Sequence, residues 1–192
     1  MVIIKTVLKS SGQYSPEHVR RIREQLRQHV RIPYKFVCYS DQQFPIDGEI
    51  RPLLNKWPGY WSKIELFRDV EESFYIDLDM TISGDITEMV ERKSSFCALR
   101  NMTPRIAGIG SALMKWEGDH RYLYEIFELD PTRHMKENAR VGTPFLGDQG
   151  FIYRYVKDIE HFQKLFPGKI ERFDERLGAP VKVYYGRFRP WK

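Results

Sequence analysis

Cysteines and long apolar runs are scarce in this sequence, and each absence excludes a class of protein. Only two of the 192 residues are cysteines, Cys38 and Cys97, which is too few for a disulfide scaffold and shows no metal-ligand spacing. Both lie in apolar, strand-like segments, so we expect buried free thiols. No apolar stretch approaches the roughly 20 residues that span a bilayer, and residues 1–8 predict a strand rather than a signal peptide. We therefore expect a cytoplasmic protein without a transmembrane segment.

The glycine-rich loops that hold nucleotide phosphates are also missing. The loop at residues 10–14 matches neither the Walker pattern nor Gly-x-Gly-x-x-Gly, which disfavours P-loop and Rossmann dinucleotide-binding proteins. Because 42% of the residues are hydrophobic and 14% are aromatic, the chain has enough apolar surface for a folded core. The length predicts a single domain over residues 1–192.

The charge is basic, with a formal net charge of +5 at pH 7. A basic surface suits nucleic acid, anionic lipid or a phosphate-bearing substrate. The densest cluster falls on a predicted helix and consists of Arg20, Arg21, Arg23, Arg27 and Arg31. We interpret it as a solvated face and expect no nucleic-acid partner, with a nucleic-acid-binding domain kept as a rival hypothesis.

Strand and helix patterns alternate along the chain. Residues 2–8 predict a strand, Ser15 and Pro16 begin a helix that runs to about Val30, and residues 34–39 predict a second strand. Prolines make residues 42–58 irregular, and a short helix follows at 61–67. Further strands are predicted at 96–99, 111–116 and 181–185, with helices at 119–129 and after residue 148. The fold class is therefore α/β, with a mixed central sheet flanked by helices.

The most informative segment is the acid-bearing strand at residues 74–82, FYIDLDMTI. If the strand continues through Asp77 and Asp79, both carboxylates lie on one face, where they repel each other and are costly to desolvate. A hard divalent cation such as Mg²⁺ or Mn²⁺ removes both problems. The segment therefore suggests metal-assisted chemistry on a phosphorylated substrate.

Two enzyme classes place Asp-x-Asp after an apolar strand. Haloacid dehalogenase-like phosphatases use Asp-x-Asp-x-Thr, which Asp77, Asp79 and Thr81 fit literally. That motif normally follows the first strand of the domain, whereas here a strand–helix–strand unit precedes it. The late acidic pair of those enzymes is also missing, because residues 147–150 contain one acid. An inserted or permuted phosphatase stays open as an alternative.

The other class is the nucleotide-sugar glycosyltransferases of the GT-A type. The chain resembles them, and is especially similar to glycosyltransferase family 8 and its uncharacterised bacterial relatives. The resemblance rests on six segments in the same order over nearly the whole chain, namely the loop with Tyr14, residues 59–67, 75–79 and 110–116, the pair Asp148-Gln149, and the terminal Gly-x-x-x-Pro-Trp at 186–191.

The resemblance implies roles for residues at these positions. Asp79 would ligate Mn²⁺ or Mg²⁺, Asp77 would bind the metal and the donor ribose, and Lys63 would contact the donor. Asp148 and Gln149 correspond to the catalytic pair that lines the sugar and acceptor site.

Two further residues are assigned in the same way. Arg189 stands in place of a lysine that binds the donor phosphate, where a planar guanidinium serves as well. Tyr14 would close the nucleotide site. One departure stands out, because the family's metal-binding histidine is replaced by Val183 or Tyr185, depending on the alignment.

The resemblance implies transfer of a hexose from a nucleotide diphosphate sugar, UDP-sugar first among them, to an acceptor hydroxyl with retention at the anomeric carbon. The acceptor is a saccharide, a lipid-linked saccharide or a protein, and peripheral membrane contact stays open. A non-catalytic nucleotide-sugar binder is the alternative suggested by the missing histidine.

Overall fold

The computed structural model describes residues 1–103, 105–175 and 177–184. Its described part contains a seven-stranded sheet in the order β3-β2-β1-β4-β7-β6-β8 and a three-stranded sheet in the order β5-β10-β9. The strands are β1 (Val2–Leu8), β2 (Tyr34–Ser40), β3 (Glu49–Pro52), β4 (Ser73–Ile76), β5 (Met80–Ile82), β6 (Phe96–Arg100), β7 (Ile109–Trp116), β8 (Glu160–His161), β9 (Ile170–Arg172) and β10 (Val181–Val183).

The helices flank these sheets. They are α1 (Pro16–His29), the 3₁₀ helix (Gly59–Arg68), α2 (Thr87–Glu91), α3 (Arg121–Leu129), α4 (Pro131–Glu137), α5 (Gly147–Tyr155) and α6 (Phe162–Leu165). Within the described residues, no helix is both long enough and apolar enough to cross a bilayer.

The chain begins with the strand–helix–strand unit that the sequence predicts. Pro16 occupies the first position of α1, where its missing N–H costs nothing, and the backbone N–H of Ser15 donates to Nδ1 of His18. Val19, Ile22 and Leu26 recur at helical spacing and are fully buried against the sheet. The helix returns the chain so that β2 pairs in parallel with β1.

The main sheet changes strand direction on one side of β4. Strands β1, β2 and β3 pair in parallel with their neighbours, and β4 joins β1 in parallel on its other side. Strand β7 is antiparallel to both β4 and β6, while β6 and the short β8 are parallel. The sheet is therefore mixed, as the sequence predicts.

Apolar side chains pack on both faces of the main sheet. One cluster joins α1 to the sheet and includes Ile4, Ile22 and Phe74. The other joins the 3₁₀ helix, α3 and α5 to the opposite face and includes Trp61 and Phe127. Both faces are covered, which explains why the central strands are apolar along nearly their whole length.

Several elements differ from the sequence prediction, among them β3, α4 and β10, and the short elements α2, β8, α6 and β9 were not predicted. Residues 42–58, predicted to be irregular, contain the strand β3. It lies at the edge of the main sheet and ends with Pro52, and an edge strand tolerates proline because its outer side has no partner strand within the described residues. The chain also forms α4 directly after the predicted helix end, with Pro131 at its first position and Asp130 accepting from the backbone N–H of Arg133. Strand β10 ends at Val183, and Tyr185 lies outside the described residues.

Every arginine of the predicted basic cluster contacts another part of the chain. The partners are Glu17 for Arg20, the carbonyls of Leu78 and Met80 for Arg21, Asp47 for Arg23, Glu24 for Arg27 and Asp85 for Arg31. Four of these arginines pair with acidic side chains, and the side chains of Arg27 and Arg31 remain 65% and 77% exposed.

Helix α3 offers a matched test of this packing, because it carries one buried and one exposed leucine. Leu123 is 0% exposed and Leu129 is 84% exposed. We expect Leu123→Ala to lower the free energy of unfolding by about 2–5 kcal/mol, since it leaves a cavity beneath the helix. Leu129→Ala should change it by less than about 0.5 kcal/mol. Urea denaturation measures both, and equal effects would contradict the described core.

Candidate active site

A cavity of about 500 Å³ opens at the carboxyl ends of β1, β4 and β6. The chain leaves β1 toward β2 and β3, then returns to β4 on the other side of β1. Ligands in open α/β sheets bind where the strand order reverses in this way. Six residues predicted for the site line the cavity, namely Tyr14, Lys63, Asp77, Asp79, Asp148 and Gln149. Arg189 lies outside the described residues.

The two aspartates lie in a turn rather than in a continuous strand. Strand β4 ends at Ile76, the N–H of Met80 donates to the carbonyl of Asp77 at 3.3 Å, and β5 then leaves for the second sheet. The prediction that the strand continues through both acids is therefore wrong. Both carboxylates nevertheless line the cavity, because the turn folds Asp79 back beside Asp77.

Helix α1 contacts the turn at residues 77–80, called the acid turn below, through side chains. The guanidinium of Arg21 donates to the carbonyls of Leu78 and Met80, on either side of Asp79. The side-chain oxygen of Gln25 accepts from the N–H of Ile82 at 3.0 Å. Both contacts join residues that are 57 positions apart in the sequence. The position of Asp79 therefore depends on side chains of a distant helix.

Lys63 joins the acidic groups of the cavity. Its Nζ lies 2.8 Å from Oδ2 of Asp77, 3.5 Å from Oδ2 of Asp148 and 3.3 Å from Oγ of Ser111. Burial opposes its charge, but Asp148, Asp77 and Asp79 together outweigh that cost and raise the pKa of the ammonium group. Lys63 is therefore a permanent cation at physiological pH.

Asp148 is the most deeply buried carboxylate of the cavity, with 5% of the residue exposed. It lies in the first turn of α5, whose N-cap is Leu146. Its Oδ2 receives no hydrogen bond from any described residue. Burial raises the pKa of Asp148, and the charge of Lys63 opposes this only in part. Gln149 follows it and lines the same wall.

At the other end of the acid turn, the hydroxyl of Tyr14 donates to Oδ2 of Asp79 at 2.9 Å. Asp79 is 8% exposed. The loop after β1 therefore closes over the acid turn, and it brings Lys9, Gly12 and Gln13 to the same part of the cavity.

Sequence reasoning missed several residues that line the cavity, among them Tyr75, Ser111 and Tyr60. Tyr75 is buried, its hydroxyl donates to Asp77, and burial followed by the charge of Asp77 raises its pKa well above the usual value. Its position two residues before Asp77 is the signal that could have found it. Ser111 contacts Lys63, and Tyr60 lines the cavity with 51% of its surface exposed. Neither has a local pattern that distinguishes it.

The oxygen ligands at the acid turn suit a hard divalent cation. Within the described residues, no group of three or more His, Cys, Asp or Glu side chains could hold a metal ion. Mg²⁺ in particular is commonly bound by one or two carboxylates together with substrate phosphates and water. Asp77 and Asp79 fit that pattern. Val183, one of the two positions compared with the missing histidine, also lines the cavity.

Comparison with known proteins defines the fold of the chain. No protein-family model and no curated protein sequence matches it. The glycosyltransferase GlyE of Streptococcus pneumoniae TIGR4 superposes with a TM-score of 0.70 at 15% identity, covering 98% of this chain and 55% of GlyE. The galactosyltransferase LgtC, in complex with donor and acceptor sugar analogs, superposes with a TM-score of 0.62 at 11% identity, covering 99% of this chain and 89% of LgtC.

These matches show that the chain has the GT-A glycosyltransferase fold, which confirms the fold expected from the resemblance. The chain spans only about half the length of GlyE and most of the length of LgtC. At 11–17% identity the similarity establishes architecture alone. The functional roles of the cavity residues therefore have to be argued from their chemistry.

The buried charge of Asp148 generates a prediction about stability. Because burial raises its pKa, the folded chain favours the neutral acid more than the unfolded chain does, and the ionised form reduces stability at neutral pH. We expect Asp148→Asn to raise Tm at pH 7. The gain should shrink as the pH falls into the carboxyl range, where Asp148 of the wild type itself becomes protonated.

The control for this experiment is Asp47→Asn, at an aspartate whose side chain is 80% exposed and which does not line the cavity. Its Tm should follow that of the wild type across the same pH range. A fall in Tm for Asp148→Asn at pH 7 would mean that the pairing with Lys63 outweighs the cost of burial.

Proposed function

We propose that the chain transfers a hexose from a nucleotide diphosphate sugar to an acceptor hydroxyl, with UDP as the first candidate nucleotide. The observation that carries this proposal is the position of Lys63, which contacts both Asp77 and Asp148 inside one cavity at the switch point of a GT-A fold. This arrangement puts an acidic turn, a fixed cation and a buried carboxylate within reach of one substrate.

The diphosphate of the donor would bind at the acid turn. Asp77 and Asp79 would hold Mn²⁺ or Mg²⁺ together with diphosphate oxygens, and when bound the ion supplies positive charge that stabilises the departing nucleoside diphosphate. Tyr14 would orient Asp79 through its hydrogen bond and cover the nucleotide from the β1 loop. The metal and this nucleotide contact are both part of the proposal.

Lys63 would act on the leaving group. Negative charge grows on the diphosphate as its bond to the sugar breaks, and a buried ammonium group stabilises such charge more than an exposed one does. The raised pKa of Lys63 means that this charge is present before the substrate arrives. Arg189 is proposed as a second cation for the donor phosphate, in the terminal segment outside the described residues.

Asp148 and Gln149 would act on the sugar side of the reacting bond. The buried Oδ2 of Asp148 has hydrogen-bonding capacity to spare within the described residues, and a sugar hydroxyl could fill it. An ionised carboxylate there would also stabilise positive charge at the anomeric carbon. Retention of configuration at the anomeric carbon is proposed only from the resemblance to glycosyltransferase family 8.

A non-catalytic nucleotide-sugar binder is the second candidate, and one observation favours it. Val183 lines the cavity at one of the two positions compared with the family's metal-binding histidine, and a valine cannot ligate a metal. This alternative predicts donor binding without turnover. The phosphatase alternative gains no comparable support, since the acids follow β4 after a complete β1-α1-β2 unit.

The donor site can be tested by thermal melting with a panel of nucleotides and nucleotide sugars, with and without Mn²⁺. A ligand that binds only the folded chain raises Tm. At a free ligand concentration of 100 times its Kd, the folded state gains about 2.7 kcal/mol of stability. We expect a Mn²⁺-dependent rise with one nucleotide class. We also expect Asp79→Ala to abolish that rise, because it removes one of the two proposed metal ligands.

Asp47→Asn serves as the matched control, because it changes an exposed aspartate outside the cavity and should leave the nucleotide response intact. Release of the nucleoside diphosphate from the stabilising donor then separates an enzyme from a binder. If no nucleotide shifts Tm at millimolar concentration with Mn²⁺ present, the proposed function is wrong.

A further inference from the structure

Tyr60 is an aromatic residue at the mouth of the cavity that the proposed chemistry leaves without a role. It is 51% exposed, whereas Trp61 beside it is 5% exposed and belongs to the core. Ligand pockets are lined largely by hydrophobic and aromatic side chains, with a few polar groups that orient the ligand. Burial and the nearby charge of Asp148 raise the pKa of the Tyr60 hydroxyl, so the ring stays neutral.

The backbone of α5 supports the Tyr60 ring from one side. Gly147 has a φ of +67°, and a Cβ built there would lie 2.9 Å from Cε2 and 3.3 Å from Cζ of Tyr60. The ring therefore packs directly on the glycine that precedes Asp148. The contact holds the ring near the buried carboxylate, and Tyr60 lines the cavity with about half of the residue exposed.

The contacts give the cavity two distinct ends. Tyr14 bonds Asp79 at one end, and Lys63 connects Asp77 to Asp148 in the middle. Tyr60 stands on Gly147 at the other end, beyond Asp148. If the nucleoside diphosphate binds at the acid turn, as proposed above, the transferred sugar would lie toward Asp148, and the acceptor would approach it from the Tyr60 end.

We infer that Tyr60 is the stacking platform of the acceptor site and that the acceptor is a saccharide whose pyranose ring lies on it. This inference rests on the proposed function and assigns the partner substrate of the same site. A pyranose has an apolar C–H face that packs on an aromatic ring and a rim of hydroxyls that hydrogen-bond beside it. Tyr60 supplies the ring, and Asp148, Gln149 and Ser62 supply polar groups in the same cavity.

The surroundings of Tyr60 favour a saccharide over a lipid chain. An acyl or polyprenyl chain needs a continuous apolar groove, whereas the cavity residues closest in sequence to Tyr60 and Gly147 are Gly59, Ser62, Lys63, Asp148 and Gln149. An exposed aromatic ring with polar groups beside it is an arrangement that orients a small polyhydroxylated ring.

Saturation-transfer NMR tests donor binding and acceptor binding in one sample. Each tube contains the protein, UDP, one probe and Mg²⁺, which is diamagnetic and leaves the ligand signals sharp; the probe is methyl glucoside, methyl galactoside or methyl N-acetylglucosaminide. The UDP signals report the donor end and the methyl-glycoside signals report the Tyr60 end. The variants are Tyr60→Ala, which removes the ring, and Tyr60→Phe, which keeps it. Leu54→Ala is the control, because Leu54 is 65% exposed and does not line the cavity.

We expect at least one methyl glycoside to bind the wild type, Tyr60→Phe and Leu54→Ala. Tyr60→Ala should weaken that binding on the order of tenfold, as expected for losing one aromatic stacking contact, while the UDP signals stay unchanged. The melting curve of Tyr60→Ala checks that the variant is folded, and retained UDP signals check the same within the site.

Two failures are distinguishable. If UDP binds and the methyl glycosides bind Tyr60→Ala as they bind the wild type, or bind neither, the assignment of Tyr60 is overturned. If neither UDP nor any other nucleoside diphosphate substituted for it binds the wild type, the proposed function is overturned and the acceptor role falls with it.

Discussion

One buried ammonium group balances the charges on which the cavity depends. Two aspartates from one turn and a third from α5 converge at the edge of the sheet, and without a cation between them they would repel each other in a largely buried part of the cavity. The Nζ of Lys63 contacts Asp77 and Asp148 directly. Because a 3₁₀ helix packed against α3 carries Lys63, the apolar core on that face positions the charge that holds the acids together. Packing and electrostatics are therefore coupled at this residue.

The order of the strands determines where those charges meet. The chain enters the sheet at its centre with β1, builds outward to β3, and returns to place β4 on the other side of β1. The loop after β1 carries Tyr14, and the acid turn follows β4. Both line the cavity at the carboxyl ends of these two neighbouring strands. Antiparallel β7 then brings Ser111 and Ala112 back to the same edge, where the carbonyl of Ala112 accepts from the N–H of Asp77 at 2.8 Å.

Local patterns predicted most of the fold and several residues that line the cavity. The start of α1 follows from Ser15 and Pro16, and its buried face follows from the apolar spacing. The order of short motifs predicted Lys63 and Asp148 for one site, and both line the same cavity. Contacts between distant residues could not be predicted in this way. Tyr60 packs on Gly147, and β5 pairs with β10, and in both cases the two partners are far apart in the sequence. The edge strand β3 was concealed because prolines weaken the local strand signal.

The contact of Arg21 with the acid turn has a consequence for folding. The turn carries Asp79, yet the carbonyls that shape it are held by a helix 57 residues earlier in the chain. Lys63 and Asp148 are farther apart still, in different helices on the opposite face of the sheet. Closing such long loops is costly in chain entropy, so these contacts form only when both layers have docked on the sheet. The ligand site is therefore organised only where the helical layers on both faces are docked on the sheet, so that loosening either layer disturbs it.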